Sequence, residues 1–173
     1  MILFRIIVYF FIFYNVNANE IISDDEYYDK GVSLYDNGEF DESFIVFFNL
    51  AEKGHNDSIF NLSNMYYEGV GTIQNYKLSL KNCWLCALNG NKRCINKIDK
   101  VKSRVTEKVI EEVAQQIPKI LENNFVEFNS SKSAFKLGFW YENFSPEIDY
   151  EQSYLWYSVS VSGGIYKAMK LRD

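Results

Sequence analysis

The feature that most constrains the fold of this chain is an internal repeat. Gly54 and Gly90 lie 36 residues apart, and each follows a helix-length segment with apolar residues at helical spacing. Residues 58–66, SIFNLSNMY, are echoed by residues 133–141, SAFKLGFWY. Self-similarity at a period between roughly 20 and 50 residues is typical of architectures in which small structural units stack side by side. The sequence therefore predicts a repeat protein.

The repeated units are predicted to be helical hairpins. Segments of about 12 residues with an apolar stripe alternate with turns that contain glycine, as at Gly38, Gly54 and Gly69. Prolines, which break helices, occur only at Pro118 and Pro146. The prediction is an all-α fold, an α-α superhelix in the form of a short solenoid of antiparallel helical hairpins.

The helix boundaries follow from capping residues and glycines. A capping box from Ser23 to Glu26 opens the first helix, and a variant box from Asp149 to Gln152 opens the last. The apolar spacing predicts helices over residues 24–37, 41–53, 57–68, 76–88, 92–103, 106–122 and from 150 onward. Pro118 is expected to kink the 106–122 helix or end it early, because proline removes one hydrogen bond of the helix and clashes with the preceding turn.

The first 18 residues are predicted to be a signal peptide. Arg5 and the amino terminus supply a short positive region, residues 6–14 form an unbroken apolar run, and Val16 and Ala18 occupy the small-residue positions that a signal peptidase needs. The run is shorter than the roughly 20 apolar residues that span a bilayer. We therefore expect a cleaved signal rather than an uncleaved anchor, and no membrane contact after cleavage. The expected location is the periplasm or the cell exterior or, for a eukaryotic source, the lumen of the endoplasmic reticulum or the cell exterior.

The charge balance argues against nucleic acid as a partner. Residues 19–173 contain 17 basic and 23 acidic side chains, a formal net charge of −6. Binding to a phosphate backbone needs a basic surface. A basic cluster does run through residues 92–104, but Asp99 interrupts it, and a solvated helix face explains it better.

The repeat resembles that of the Sel-one-like repeat (SLR) family, a relative of the tetratricopeptide repeat. The family's first helix and loop read A-x-x-x-L-G-x-x-Y-x-x-G-x-G-V, and its second helix carries A-x-x-W-Y. The positions that fit this pattern in the two better copies are Leu62, Tyr66, Gly69 and Gly71, and Leu137, Gly138, Tyr141, Trp156 and Tyr157. The resemblance implies an SLR or tetratricopeptide-like domain over residues 19–173, with approximate repeats at 25–54, 55–90, 91–131 and 132–173. The third of these is degenerate because it lacks the Leu-Gly-x-x-Tyr core.

The resemblance also implies a function in binding. In such solenoids the first helices of the hairpins usually line the concave face, where a protein or peptide ligand is held. Aromatic residues on that face would be candidate anchors, and those expected there are Tyr28, Tyr35, Tyr67 and Phe139. Packing in the core or at its edge is the alternative for each of them, since aromatic spacing cannot separate a core from a groove.

The three cysteines are Cys83, Cys86 and Cys94. Cys86 and Cys94 flank the Asn89-Gly90 turn almost symmetrically, and they look like the Cys-x7-Cys staple of the cysteine-rich, exported branch of the SLR family. That resemblance implies a Cys86–Cys94 disulfide, which an oxidising compartment would allow, and a buried free thiol at Cys83. The alternatives are three buried cysteines without a bond, and a redox or metal-binding module that uses Cys83 and Cys86. The second alternative is weakened because this pair lies inside a predicted helix and no second pair completes a zinc site.

No motif in the sequence indicates catalysis. His55 is the only histidine, it has no flanking catalytic motif, and the sequence contains no phosphate-binding loop or dinucleotide fingerprint. The sequence predicts no cofactor and no metal, and it does not determine the oligomeric state. The leading hypothesis is an exported, non-enzymatic scaffold that mediates protein–protein or protein–peptide interaction. The alternative is the thiol redox or metal-binding module, and a weaker one is a protein that binds or hydrolyses cell-wall fragments.

Overall fold

The computed structural model describes residues 22–172, and every regular element in that part of the chain is helical. The helices are α1 (Asp24–Asp36), α2 (Phe40–Glu52), α3 (Asn56–Glu68), α4 (Tyr76–Leu88), α5 (Lys92–Lys102), α6 (Glu107–Ala114), α7 (Gln116–Phe128), α8 (Ser131–Asn143), α9 (Tyr150–Ser162) and α10 (Met169–Arg172), with a 3₁₀ turn at Tyr166–Ala168. The predicted all-α fold is confirmed. The predicted signal peptide lies outside the described residues, and none of the described helices is long and apolar enough to cross a membrane.

Consecutive helices pack against each other from α1 to α5 and from α6 to α9. The most extensive pairings are α8 with α9, α3 with α4, and α1 with α2, while α2 against α3, α4 against α5 and α7 against α8 join one pair to the next. The turns after α2 and α4 have the same geometry, because Gly54 and Gly90 both adopt a φ of +85°, in the left-handed region that glycine enters without strain. The predicted solenoid of hairpins is therefore the observed architecture.

The hydrophobic core is centred on α4. This helix is buried on more than one side, and its buried residues are Ser79, Leu80, Cys83, Trp84, Cys86, Ala87 and Leu88. The helix packs against α3 and α5 and also touches α6, α7 and α8. Trp84 meets Trp140 of α8 edge to face, with ring centroids 5.1 Å apart. This contact ties the last hairpin to the centre of the stack.

Ser23 and Asp149, the first residues of the two predicted capping boxes, are the N-caps of α1 and α9. The backbone N–H of Glu26 donates to the Ser23 hydroxyl over 3.1 Å at the start of α1. The N–H of Gln152 donates to Asp149 Oδ1 over 2.9 Å at the start of α9. Each side chain satisfies an amide that the first turn of a helix leaves without a partner.

The prediction of one helix over residues 106–122 was wrong. The structure divides this segment at Gln115 into α6 and α7, and α7 continues to Phe128. Pro118 occupies the first turn of α7, where its missing N–H costs nothing. The same missing donor cannot bond to the carbonyl of Ala114, so the break falls before the proline rather than after it.

Candidate functional site

A groove between α1 and α3 contains two of the predicted anchor residues. Its volume is about 300 Å³, and the residues that line it are Tyr28, Val32 and Tyr35 of α1, Phe47 of α2, and Asn61, Asn64 and Met65 of α3. We call it the α1–α3 groove. One wall is aromatic and the other carries two side-chain amides, so the groove offers apolar contact and hydrogen bonds side by side.

The tyrosines of this groove are held by neighbouring rings. The ring of Tyr28 lies 4.9 Å from that of His55 and 5.6 Å from that of Phe47, and its hydroxyl accepts a 3.2 Å hydrogen bond from Asn61 Nδ2. Tyr35 packs edge to face on Phe40 and remains 40% exposed. Tyr28 is therefore a fixed part of the wall, whereas Tyr35 offers an accessible ring.

A row of four cations runs along α5, the next first helix of the stack, and ends at Arg104 in the turn that follows this helix. Each cation lies over an aromatic ring of α3 or α4, 4.3–5.1 Å from the ring centroid: Arg93 over Phe60 at 4.3 Å, Lys97 and Lys100 over Tyr67 at 5.1 and 4.8 Å, and Arg104 over Tyr76 at 5.1 Å. We call these four residues the α5 cation row. Attraction between a cation and the face of a ring contributes about 0.5–1 kcal/mol at exposed sites. The basic cluster expected to be a plain solvated face thus also packs on aromatic rings.

Lys97 connects the α5 cation row to the α1–α3 groove. Its ammonium donates to Asn64 Oδ1 and, over 3.4 Å, to the hydroxyl of Ser63. Burial lowers the pKa of Lys97, and the neighbouring charge of Lys100 lowers it further. Asn64 belongs to the groove wall, so the groove and the cation row form one continuous surface across α1, α3 and α5.

The structure separates the four predicted anchors. Tyr28 and Tyr35 share the α1–α3 groove. Tyr67 is only 8% exposed, because Lys97 and Lys100 cover its ring and Tyr76 meets its edge. Its position matches the packing alternative. Phe139 lies in a different cavity, so the four residues do not form a single ligand site.

The cysteines adopt the predicted pairing. Cys86 at the end of α4 and Cys94 at the start of α5 form a disulfide, with their Cα atoms 5.9 Å apart. Cys83 is a buried free thiol 3.1 Å from the hydroxyl of Ser63, and burial raises its pKa. Because the thiolate is the reactive form, Cys83 is a poor nucleophile at neutral pH. Among residues 22–172 no group of three or more His, Cys, Asp or Glu side chains could hold a metal ion.

A second, larger cavity contains Phe139. Its volume is about 510 Å³, and it lies between α8, the end of α4, and the starts of α3 and α5. Its lining includes Lys132, Lys136 and Lys167, together with Phe135. We call it the lysine pocket. The lysines were not among the predicted site residues. Lys132 and Lys136 share the four-residue spacing of Phe135 and Phe139 on one helix, and this spacing places both pairs close together.

Comparison with known proteins found likeness only among solved structures. No family model matches the chain, and no curated protein matches it. The crystal structure of c5321, a protective antigen present in uropathogenic Escherichia coli strains displaying an SLR fold, is similar with a TM-score of 0.46 and 19% identity, over 87% of this chain and 33% of that one. The Sel1 repeat protein from Oxalobacter formigenes gives a TM-score of 0.46 and 17% identity, over 93% of this chain and 67% of that one. The chain thus spans about a third of the length of c5321.

Proposed function

We propose that this protein is an exported, non-enzymatic scaffold that binds an extended segment of a partner protein or peptide across α1, α3 and α5. The observation that carries the proposal is the continuous surface formed by the α1–α3 groove and the α5 cation row. Stacked hairpins place their first helices side by side, and this arrangement creates an extended surface that no single hairpin could provide.

The groove has the chemistry that a peptide chain requires. A side-chain amide carries two donors and an acceptor, so Asn61 and Asn64 can each pair with a peptide group. The exposed ring of Tyr35 and the side chain of Val32 would receive one apolar side chain of the ligand. A cavity of about 300 Å³ is at the lower end of the range for ligand sites, which suits a single anchoring side chain rather than a whole small molecule.

The cation row supplies the electrostatic part of recognition. Lys100 is exposed and belongs to none of the four ion pairs in the described part of the chain. Arg93 is paired with Asp57, Lys97 is bonded to Asn64, and Arg104 donates to the hydroxyl of Tyr76. Lys100 is therefore the cation of the row that is available to an acidic residue of the ligand. The proposed ligand therefore combines an apolar anchor with a carboxylate, and its binding weakens as salt screens the charges.

The Cys86–Cys94 disulfide supports the exported location. Stable disulfides form in oxidising compartments and are rare where glutathione and thioredoxin keep thiols reduced. The same bond weakens the thiol redox alternative, because Cys86 is already paired with Cys94 and Cys83 is buried beside Ser63.

Selection from a random peptide library displayed on phage tests the proposed function. The bait is residues 19–173, and each enriched peptide is re-measured against the double variant Tyr35→Ala/Asn64→Ala. Loss of one aromatic contact and one amide pair should weaken binding about tenfold or more. A matched control is Tyr150→Ala/Asn123→Ala, which removes the same residue types from exposed positions on α9 and α7.

Enriched peptides that contain an acidic residue and bind the control variant normally would support the proposal. Two results would contradict it. One is a selection that enriches nothing above an unrelated bait, and the other is a set of peptides that bind the Tyr35/Asn64 variant as tightly as the unmodified protein.

A further inference from the structure

The lysine pocket is separate from the surface used by the proposed function. Its lining comes from the turns after α2 and α4, from the starts of α3 and α5, from α8 and from the segment after α9, and it includes none of the residues of the α1–α3 groove. A cavity of about 510 Å³ is within the range of sites that enclose small ligands. It therefore needs an explanation of its own.

The lining of the pocket includes three lysines, and none of them has an acidic partner in the described part of the chain. Lys132 and Lys136 are one helical turn apart on α8, and burial together with the charge of Lys132 lowers the pKa of Lys136. Lys167 lies over the ring of Phe135, 4.1 Å from its centroid. None of these three lysines takes part in an ion pair with the described part of the chain. Like charges held close together without a carboxylate favour the binding of an anion beside them.

The walls of the pocket are apolar. The lining includes Phe135 and Phe139 of α8, Leu88 at the end of α4 and Ile95 of α5, and Ile95 remains 40% exposed. An anion that is small and fully hydrated, such as inorganic phosphate, would leave these side chains without contact. The chemistry of the pocket therefore fits an anion that carries an apolar group.

Asn56 adds a hydrogen-bonding requirement. Its side-chain oxygen is the one buried side-chain polar atom without a hydrogen-bond partner among residues 22–172, and Asn56 lines the pocket. A buried acceptor without a donor costs about 1–3 kcal/mol. The last torsion of an Asn side chain is soft, so a small rotation would direct this oxygen toward an occupant that donates an N–H.

We propose that the lysine pocket binds the carboxyl-terminal residue of a peptide whose last side chain is apolar. The terminal carboxylate pairs with Lys132 and Lys136, the last side chain packs on Phe135 and Phe139, and the backbone N–H next to the carboxylate faces Asn56. A free peptide terminus supplies all three groups at one residue. A simple organic acid supplies only the first two.

Fluorescence polarisation with short labelled peptides tests this site. The probes are tetrapeptides labelled at the amino end that terminate in Phe, Leu or Val, each made with a free carboxylate and as the carboxyl-terminal amide. The free-carboxylate form of at least one should bind residues 19–173 about tenfold or more tightly than its amide. The double variant Lys132→Gln/Lys136→Gln should lose the same factor, and the Phe139→Ala variant should also weaken binding.

The matched control is Lys108→Gln/Lys119→Gln, which removes two exposed charges from α6 and α7, and it should bind normally. Unfolding temperatures of all variants confirm that each is folded. The proposal is overturned if no free-carboxylate peptide binds, if the amides bind equally well, or if the control variant loses as much affinity as Lys132→Gln/Lys136→Gln. 3-Phenylpropionate lacks the N–H. If it binds as tightly as the free-carboxylate peptides, the assignment to a peptide is overturned.

Discussion

Two helices of equal length and equivalent position, α4 and α9, differ sharply in how much of their surface is covered. Each is the 13-residue second helix of a hairpin. In α4 seven residues are buried, whereas in α9 only Ser153, Tyr157 and Ser160 are. The outer side of α9 instead exposes Tyr150 at 72%, Leu155 at 49% and Val159 at 37%. Both helices are rich in apolar residues, so composition does not cause the difference.

The difference teaches that position in the stack, rather than the hairpin itself, determines burial. α4 has neighbours on several sides, while α9 packs mainly against α8 and the short elements that follow it. In a solenoid each unit is stabilised by its own packing and by the interfaces with the adjacent units. A unit at the described end of the stack has one interface fewer, so its stability should depend more on contacts within the hairpin.

The contacts within the two hairpins also differ in the sizes of the facing residues. In α8 and α9 the small residue Gly138 faces the ring of Tyr157, and a Cβ at Gly138 would lie 2.5 Å from that ring. At the equivalent place in α3 and α4 the hydroxyl of Ser63 lies 3.1 Å from the sulfur of Cys83. The last hairpin therefore combines a glycine with a large partner, whereas the central hairpin combines two small residues at the equivalent place.

The largest predicted effect is the loss of a central aromatic residue. Trp84→Ala removes a side chain that is 1% exposed and in contact with Trp140, and it should lower the free energy of unfolding by about 3–5 kcal/mol. Trp156→Ala in α9 removes a half-buried ring that packs on Phe125, and it should cost roughly half of that or less. Urea denaturation followed by circular dichroism measures both. Equal losses would show that position in the stack does not determine burial energy.

Removal of the disulfide is expected to have the next largest effect. Cys86→Ala/Cys94→Ala opens a loop of eight residues, and the entropy of loop closure predicts a loss of about 2.5 kcal/mol. In the unmodified protein, denaturation without a reducing agent should expose one reactive thiol per chain, that of Cys83. A count of three thiols would show that the disulfide does not form. If one thiol is counted but reduction leaves the stability unchanged, the disulfide has no structural role.

Gly138→Ala tests the close approach in the last hairpin. Alanine favours a helix over glycine by about 1 kcal/mol, but its Cβ meets the Tyr157 ring, and overpacking should give a net loss of about 1–3 kcal/mol. Ser63→Ala in the central hairpin loses the hydroxyl's bonds to Ser79 and Cys83, and should cost about 1 kcal/mol. A double variant, Gly138→Ala/Tyr157→Cys, should cost less than the sum of its single changes. Strict additivity would contradict the proposed contact.

The smallest predicted effect on stability near neutral pH concerns the hydroxyl of Tyr157, and this effect becomes larger at alkaline pH. Burial and a 2.7 Å hydrogen bond to Glu142 raise the pKa of its hydroxyl, so the folded state keeps the proton to higher pH than the unfolded state. Above a pH of about 10 the unfolded chain binds fewer protons, and stability therefore falls as pH rises. The urea midpoint of Tyr157→Phe should fall less steeply between pH 9 and 11. An identical slope for both proteins would exclude this residue as a source of the decline.

The sequence could predict the hairpins because their signals are local. Glycine turns, capping side chains and apolar spacing placed α4 at residues 76–88, as observed, and the Cys86–Cys94 pair flanks one of those turns. The break at Gln115 was missed because Pro118 can either end a helix or occupy the first turn of a new one, and the tertiary packing of α6 and α7 decides between them.

The candidate sites were harder to predict because they depend on the relative positions of different hairpins. Tyr35 and Tyr67 are aromatic residues on first helices, yet Tyr67 is covered by lysines of α5 while Tyr35 is accessible. Lys132 and Lys136 belong to a pocket only because residues of other helices, such as Ile95, line it with them. Local sequence patterns do not predict such contacts between residues of different hairpins.

Native-state hydrogen exchange on residues 19–173 is the most direct test of the claim that neighbouring hairpins, rather than each hairpin alone, hold the fold together. Amides of α4, such as those of Leu80 and Trp84, should exchange only through global unfolding, with a free energy equal to that from urea denaturation. Amides in the middle of α9 should exchange through smaller, local openings at a lower free energy. Equal protection of α4 and α9, or faster exchange in α4, would contradict the account.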